Sequence, residues 1–126
     1  MKKIIFTKNA PAPIGAYSQA TMIGNMLYTS GQIAINPKNG EMVTANIEDE
    51  TKQVMENLKA ILTEVNMTFE NVFKTTIFIS DMNNFSKINA VYSNYFNVAT
   101  APARETVEVA NLPKFVNVEI SIIATK

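Results

Sequence analysis

Six segments of this chain carry the marks of β-strands and only two have the spacing of α-helices, and this ratio constrains the fold more than any other feature. The order reads β-β-β-α-β-α-β-β across 126 residues. Two helices can cover only one face of a sheet of about six strands. The expected fold class is therefore α+β: an α/β sandwich with one mixed sheet and both helices on one face, in a single domain spanning residues 1–126. The other face must meet solvent or another subunit. Terminal strands this apolar argue for a subunit, so a closed homo-oligomer is expected.

The elements follow from local chemistry. Residues 3–6 form a short strand, bounded by the turn-prone Asn9-Ala10-Pro11-Ala12-Pro13. Residues 19–23 and 26–33 flank Gly24-Asn25, a dipeptide that signals a tight hairpin because both residues tolerate positive φ. A second turn falls at 36–40. Asn46 is a good helix N-cap, and Glu48, Asp49 and Glu50 place negative charge on the first turn, where the helix dipole favours it. Ile47, Val54, Leu58, Ile61, Leu62 and Val65 recur at helical spacing, with Glu50, Lys52, Glu56, Lys59 and Glu64 on the opposite, solvated face. Residues 72–80 read as a buried strand. The second helix starts after the 81–84 cap, sets Phe85, Ile88, Tyr92, Tyr95 and Phe96 on one core-facing stripe, and ends near Asn97 because Pro102 follows. Two alternating strands complete the chain. Residues 104–109 put Arg104, Thr106 and Glu108 on one face and Glu105, Val107 and Val109 on the other. After the Leu112-Pro113 break, residues 116–123 turn Val118, Ile120 and Ile122 inward and Asn117, Glu119 and Ser121 the other way.

Composition narrows the chemistry. The chain has no Cys, His or Trp. Disulfides, thiolate nucleophiles, iron–sulfur clusters and imidazole bases are thereby excluded, and a zinc site would need an all-carboxylate shell, which zinc disfavours. Any catalysis rests on carboxylates, Tyr, Ser/Thr, amides, Lys, Arg or ordered water. Eleven basic residues balance eleven acidic ones, and the lysines form no cluster, so a nucleic-acid partner is not expected. No apolar run reaches the length of a membrane span, and the basic start, Met1-Lys2-Lys3, precedes too short an apolar stretch for a secretory signal. A soluble, cytoplasmic protein is expected.

Several residues could carry chemistry. Arg104, the only arginine, opens a strand after the Ala101-Pro102-Ala103 turn. It reads either as a bidentate anchor for a carboxylate or phosphate, or, more readily from sequence alone, as one end of an ion pair with Glu105, Glu108 or Glu119. Glu119 interrupts an apolar strand and is either exposed or held half-buried where it positions or deprotonates a water. Thr29-Ser30-Gly31-Gln32 ends a strand with small residues, which suits close approach to a ligand or an ordinary bulge. Tyr17, after the Gly15 turn, either closes a pocket or is a half-buried aromatic. Asn89 sits on the second helix, as a pocket hydrogen-bonder or on its solvated edge. No glycine-rich phosphate loop is present.

Taken in order, these segments resemble the Rid (YjgF-like) family. Pro13-Ile14-Gly15-Ala16-Tyr17-Ser18-Gln19-Ala20 is similar to its opening motif, and Leu27-Tyr28-Thr29-Ser30-Gly31-Gln32-Ile33 to its second. Gln53-Val54-Met55-Glu56-Asn57-Leu58 matches its first helix, and Val72-Phe73-Lys74-Thr75-Thr76-Ile77-Phe78-Ile79-Ser80-Asp81-Met82 resembles its central strand. Pro102-Ala103-Arg104, Val107-Glu108-Val109, Leu112-Pro113-Lys114 and Val118-Glu119-Ile120 complete its C-terminal signature. The resemblance implies a chorismate-mutase-like fold and a homotrimer with its sheets at the centre, its helices outside and its active sites in the clefts between subunits. It implies hydrolysis of 2-imino and 2-enamino acids, such as 2-iminobutanoate and 2-iminopropanoate, to 2-oxo acids and ammonia without a cofactor or metal. By position, Arg104 would clamp the substrate carboxylate and Glu119 would hold the attacking water. The backbone around Thr106 would bind that water or the imine nitrogen, and Tyr17, Ser30, Gly31 and Asn89 would line the pocket.

The sequence departs from the family pattern in four places. Ala16 stands where Pro is common, Glu105 where a small residue is usual, Thr106 for a frequent Cys, and Ser121 for a second acidic residue. Two other roles accompany the resemblance: a non-catalytic trimer that senses 2-oxo acids through the Arg104 cleft, and a ribonuclease or translation inhibitor. Balanced charge, one arginine and no histidine weigh against the latter.

Overall fold

The computed structural model describes all of residues 1–126. Strands β1 (Lys3–Ile5), β2 (Ala20–Ile23) and β3 (Met26–Thr29) are followed by α1 (Ile47–Glu64), β4 (Val72–Ile79), α2 (Phe85–Ser93), β5 (Ala103–Glu108) and β6 (Val118–Thr125). One six-stranded sheet runs in the order β1-β2-β3-β6-β4-β5. Only β4 and β5 pair in parallel, as the α2 crossover between them requires. The expected α+β fold with a mixed sheet and two helices is the one observed.

The first helix forms as its sequence directs. The Asn46 side chain accepts the Asp49 N–H at 2.8 Å and caps it. Val54, Met55, Leu58, Ile61 and Leu62 are fully buried at three- and four-residue spacing. They pack on Leu27, Ile77, Ile120 and Ile122, which β3, β4 and β6 turn to the same side. The inward assignment of Val118, Ile120 and Ile122 holds. No helix is long and apolar enough to cross a membrane.

Several boundaries differ from the sequence reading. In the hairpin only Gly24 takes a left-handed φ, 57°, and Asn25 does not. Strand β3 stops at Thr29 rather than residue 33, because the Ile122 N–H goes to Thr29 Oγ1 at 3.0 Å and pairing with β6 resumes only as a single bridge, shifted by one residue, at Gln32 and Ile120. Helix α2 stops at Ser93, although Tyr95 and Phe96 still pack against the core. Strand β6 begins at Val118, two residues late, because the Asn117 N–H goes to Glu50 Oε2 at 2.7 Å instead of to a neighbouring strand.

That last bond corrects a second expectation. Glu50 does not lie on the solvated face of α1; it is fully buried. Its other oxygen accepts Asn117 Nδ2 at 2.8 Å, and Asn117 O accepts Ser80 N–H at 3.1 Å. The carboxylate thus sits near the positive end of α1 with two donors, which makes its burial tolerable. It ties the first helix to the start of β6. Lys114 and Phe115, just before, take left-handed φ values of 56° and 55°.

The second face of the sheet has no helix over it. Register places Tyr28 beside Thr21 and Ile123, Ile23 beside Met26, and Phe78 between Glu119 and Val107. Ile23, Tyr28 and Val107 are exposed there. The uncovered face expected from the element count is present, and it is mixed: these apolar side chains share it with Thr21, Lys74, Thr76, Glu105, Glu119 and Ser121.

Candidate functional site

Arg104 starts β5 on the helix-covered side, in register with buried Thr75. Its Nη1 donates to Asn89 Oδ1 at 2.7 Å. The guanidinium carbon lies 5.0 Å from the Tyr92 ring centre and 5.6 Å from that of Phe85. Phe85, Asn89 and Tyr92 are four and three residues apart on α2, so one helix stripe builds the whole cradle. Tyr92 is held in turn by a 2.9 Å hydrogen bond between its hydroxyl and Thr75 Oγ1, and burial raises its pKa.

Every carboxylate that sequence offered as an ion-pair partner for Arg104 is engaged or points elsewhere. Glu105, on the opposite face, forms an ion pair with Lys74. Glu108 Oε1 accepts the Met82 N–H at 2.7 Å. Glu119 is in register with Phe78, three residues from the Thr75 that neighbours Arg104, so it emerges on the other side of the sheet. The guanidinium is therefore oriented by neutral groups, exposed and without a counter-ion. An amide and two rings fix its direction and leave its fork open to an anion.

A second group gathers on the other side. Tyr17, Ser30, Gly31 and Glu119 line a hollow of about 390 Å3, walled by Pro11, Ile14, Ile33 and Pro113. Gln19, buried beneath it, fixes the Thr7–Pro11 segment: its Oε1 accepts Thr7 N–H at 2.7 Å, and its Nε2 reaches Thr7 O at 2.9 Å and Pro11 O at 2.9 Å. Ser30 Oγ donates to Ser18 O at 2.5 Å, which leaves its lone pairs to accept. Tyr17 OH accepts the Ile14 N–H at 3.3 Å, which leaves its proton to donate. Glu119 lies across Gly31 so closely that a Cβ there would be 2.7 Å from its Cδ and 2.8 Å from its Oε1. Gly31 thus serves close approach by a side chain of its own chain. Burial raises the Glu119 pKa, and no cation in the chain compensates it.

Thr106 shares the Arg104 face, in register with Ile77. Its Oγ1 is buried and has no hydrogen-bond partner, so the side chain offers nothing outward. Its backbone lies on β5, the free edge of the sheet, where alternate N–H and C=O groups face out.

The structure thus brings Arg104, Asn89 and Thr106 together on one side and Tyr17, Ser30, Gly31 and Glu119 on the other, and a single chain does not join the two groups. Sequence reasoning missed Tyr92 and Phe85 as the cradle of Arg104, because their stripe was assigned to the core alone. The signal was their spacing to Asn89. It also missed Gln19 and the Glu50–Asn117 tie, whose partners are distant in sequence. A larger groove of about 600 Å3 along α1, near Asn36, Gln53 and Lys59, holds none of these residues. No three acidic side chains converge as a metal site would need.

A family model described as endoribonuclease L-PSP matches residues 7–126. A RutC family protein of Pyrococcus horikoshii is 52% identical over 126 residues, covering 100% of this chain and 99% of that protein. The 2-iminobutanoate/2-iminopropanoate deaminase of Escherichia coli K12 is 47% identical over 128 residues, covering 100% and 99%. The crystal structure of YyfA from Yersinia pestis, a protein of the conserved Rid family, superposes with a TM-score of 0.96 at 48% identity and covers 100% of both chains.

Proposed function

The chain belongs to the endoribonuclease L-PSP family, also called YjgF or Rid, and from that premise we propose that it hydrolyses reactive 2-imino and 2-enamino acids to 2-oxo acids and ammonia, without a cofactor. The observation that carries the reading is the open, uncompensated guanidinium of Arg104, held by Asn89, Tyr92 and Phe85. It fits a substrate carboxylate. The named activity of the E. coli relative supports the same chemistry.

We further propose that the site is composite. Arg104 and Glu119 serve one substrate only if they come from different copies, and the uncovered face, with Ile23, Tyr28 and Val107 exposed on it, gives those copies a surface to share. A homotrimer, with Arg104 and the Thr106 backbone from one subunit and Tyr17, Ser30, Gly31 and Glu119 from its neighbour, meets both conditions.

Chemistry follows with little demand on the protein. A protonated imine is already electrophilic at C2. Arg104 fixes the carboxylate and Glu119 orients a water and takes one of its protons. The water oxygen bonds to C2 as the C=N π pair moves to nitrogen. Glu119 returns that proton to the carbinolamine nitrogen and then takes the hydroxyl proton, so that C=O forms as the C–N bond breaks, releasing ammonia and the 2-oxo acid. Positioning supplies most of the acceleration. A raised Glu119 pKa makes it a better base, and the positive imine restores its ionisation on binding.

The test is a coupled assay in which threonine dehydratase generates 2-iminobutanoate with semicarbazide present as trap. Diversion of the imine to 2-oxobutanoate, lost in Arg104→Ala, supports the reading. No diversion by folded wild-type protein overturns it.

A further inference from the structure

The chemistry above leaves the hollow beside Arg104 unused. About 270 Å3 in volume, it adjoins Arg104 and is lined by Tyr92, Phe96, Val98, Ala101 and Pro102. The rings of Tyr92 and Phe96 pack at 4.7 Å between centres and make a firm apolar floor. Val98 stands at the rim, 89% exposed. Its turn is held by Asn97, whose Oδ1 accepts the Ala99 N–H at 2.9 Å and whose O accepts the Thr100 N–H at 3.0 Å. Such a turn presents an aliphatic side chain to open space with nothing of its own chain against it. The hollow therefore combines a guanidinium at one end with aromatic and aliphatic walls beyond it. Its ligand should carry a carboxylate and an apolar group a few atoms apart.

We infer that this hollow is the side-chain subsite of the deaminase and that Val98 and Phe96 set its specificity, favouring imines with branched or extended apolar side chains over 2-iminopropanoate. The inference rests on the proposed imine hydrolysis. C2 of a 2-imino acid is trigonal. With the carboxylate on Arg104 and the nitrogen and water toward Glu119 of the neighbouring copy, the third direction is left for the side chain. On this inference the side chain enters the hollow that Arg104, Tyr92 and Phe96 line together. A methyl group leaves most of the space empty, whereas an isobutyl group covers the rings and Val98 and removes apolar surface from water. Each added methylene in such a pocket changes selectivity by about tenfold or more.

The experiment compares kcat/KM for two imines made in place by an L-amino acid oxidase, from leucine and from alanine, in wild type, Val98→Trp and Val98→Ser. Wild type should favour the leucine-derived imine by at least about tenfold. Val98→Trp, which fills the hollow, should bring the ratio near one, and Val98→Ser should lower it partway. A wild-type ratio near one, or a ratio that neither substitution moves, overturns the subsite. Calorimetric titration with 4-methyl-2-oxopentanoate and 2-oxopropanoate separates this failure from failure of the deaminase reading. If neither imine is turned over, imine hydrolysis is wrong; tighter binding of the larger oxo acid, lost in Val98→Trp, then still supports the subsite. Equal binding of the two, or binding of neither, refutes it.

Discussion

Arg104 and Glu119 occupy opposite faces of one sheet: the first is in register with Thr75 and the second with Phe78, three residues along the same strand. Neither has a charged partner within the chain. In the proposed composite site, an uncompensated cation on the helix side and a desolvated carboxylate on the uncovered side would serve one substrate only across two copies. Five expectations follow from this arrangement.

Arg104→Lys should fold normally and lose most activity. The ammonium cannot reproduce the two parallel hydrogen bonds of the fork, and its stem cannot keep both the Asn89 bond and the ring contacts. A charge-assisted hydrogen bond contributes about 1.5–3 kcal/mol, so kcat/KM should fall by roughly one to two decades. Steady-state kinetics beside a thermal melt checks this. Unchanged kcat/KM would remove the carboxylate clamp.

Glu119 ties stability to pH. Burial raises its pKa above 4.5 in the folded chain, so the folded state holds the proton to higher pH than the unfolded state. Its ionisation therefore costs stability, and the cost grows as pH rises from the ordinary carboxylate range through the raised value. Glu119→Gln should be more stable than wild type near neutral pH, and the difference should vanish in acid. Melts from about pH 4 to pH 7 test the sign. Activity should rise with pH over the same window in wild type, because only the ionised carboxylate takes a proton from water.

Gly31→Ala acts on the same group. Its Cβ would fall 2.7–2.8 Å from Glu119, and the long carboxylate arm yields more readily than the backbone. The fold should survive with a displaced carboxylate. A misplacement of this kind can lower kcat by about a hundredfold. Matching melting temperatures with lowered kcat is the expected pair of results. Full activity would mean that Glu119 needs no fixed position.

Thr106→Val removes a buried hydroxyl that has no partner. An unsatisfied buried polar group costs about 1–3 kcal/mol, so the variant should melt higher, by about 3 to 5 °C for each kcal/mol recovered. Activity should persist if only the Thr106 backbone serves the site. Loss of activity in a stabilised variant would assign the hydroxyl a role with substrate or water.

Much of this fold could be read from short-range chemistry. The Asn46 cap and the 54, 58, 61, 62 spacing specify α1, and the alternation in residues 118–122 specifies which side of β6 faces the core. The uncovered face follows from counting helices against strands. What could not be read depends on long-range partners. Glu50 looks like a surface residue until Asn117 arrives from 67 positions away. The left-handed Lys114 and Phe115, neither a glycine, give no local warning of the late start of β6. For the candidate site, motif resemblance named Arg104, Glu119 and the pocket residues, and residue alternation already put Arg104 and Glu105 on opposite faces. Only the sheet order shows that Arg104 and Glu119 do so as well, because β5 and β6 both flank β4.

The composite site is tested most directly by mixing two inactive parents. Arg104→Ala lacks the clamp and Glu119→Gln lacks the base. Unfolded together in equal amounts and refolded, they should form mixed trimers in which some clefts receive an intact Arg104 from one chain and an intact Glu119 from the next. Random assembly makes about one cleft in four intact, so roughly a quarter of wild-type activity should return. Activity no higher than that of the separately refolded parents would contradict a site shared between copies.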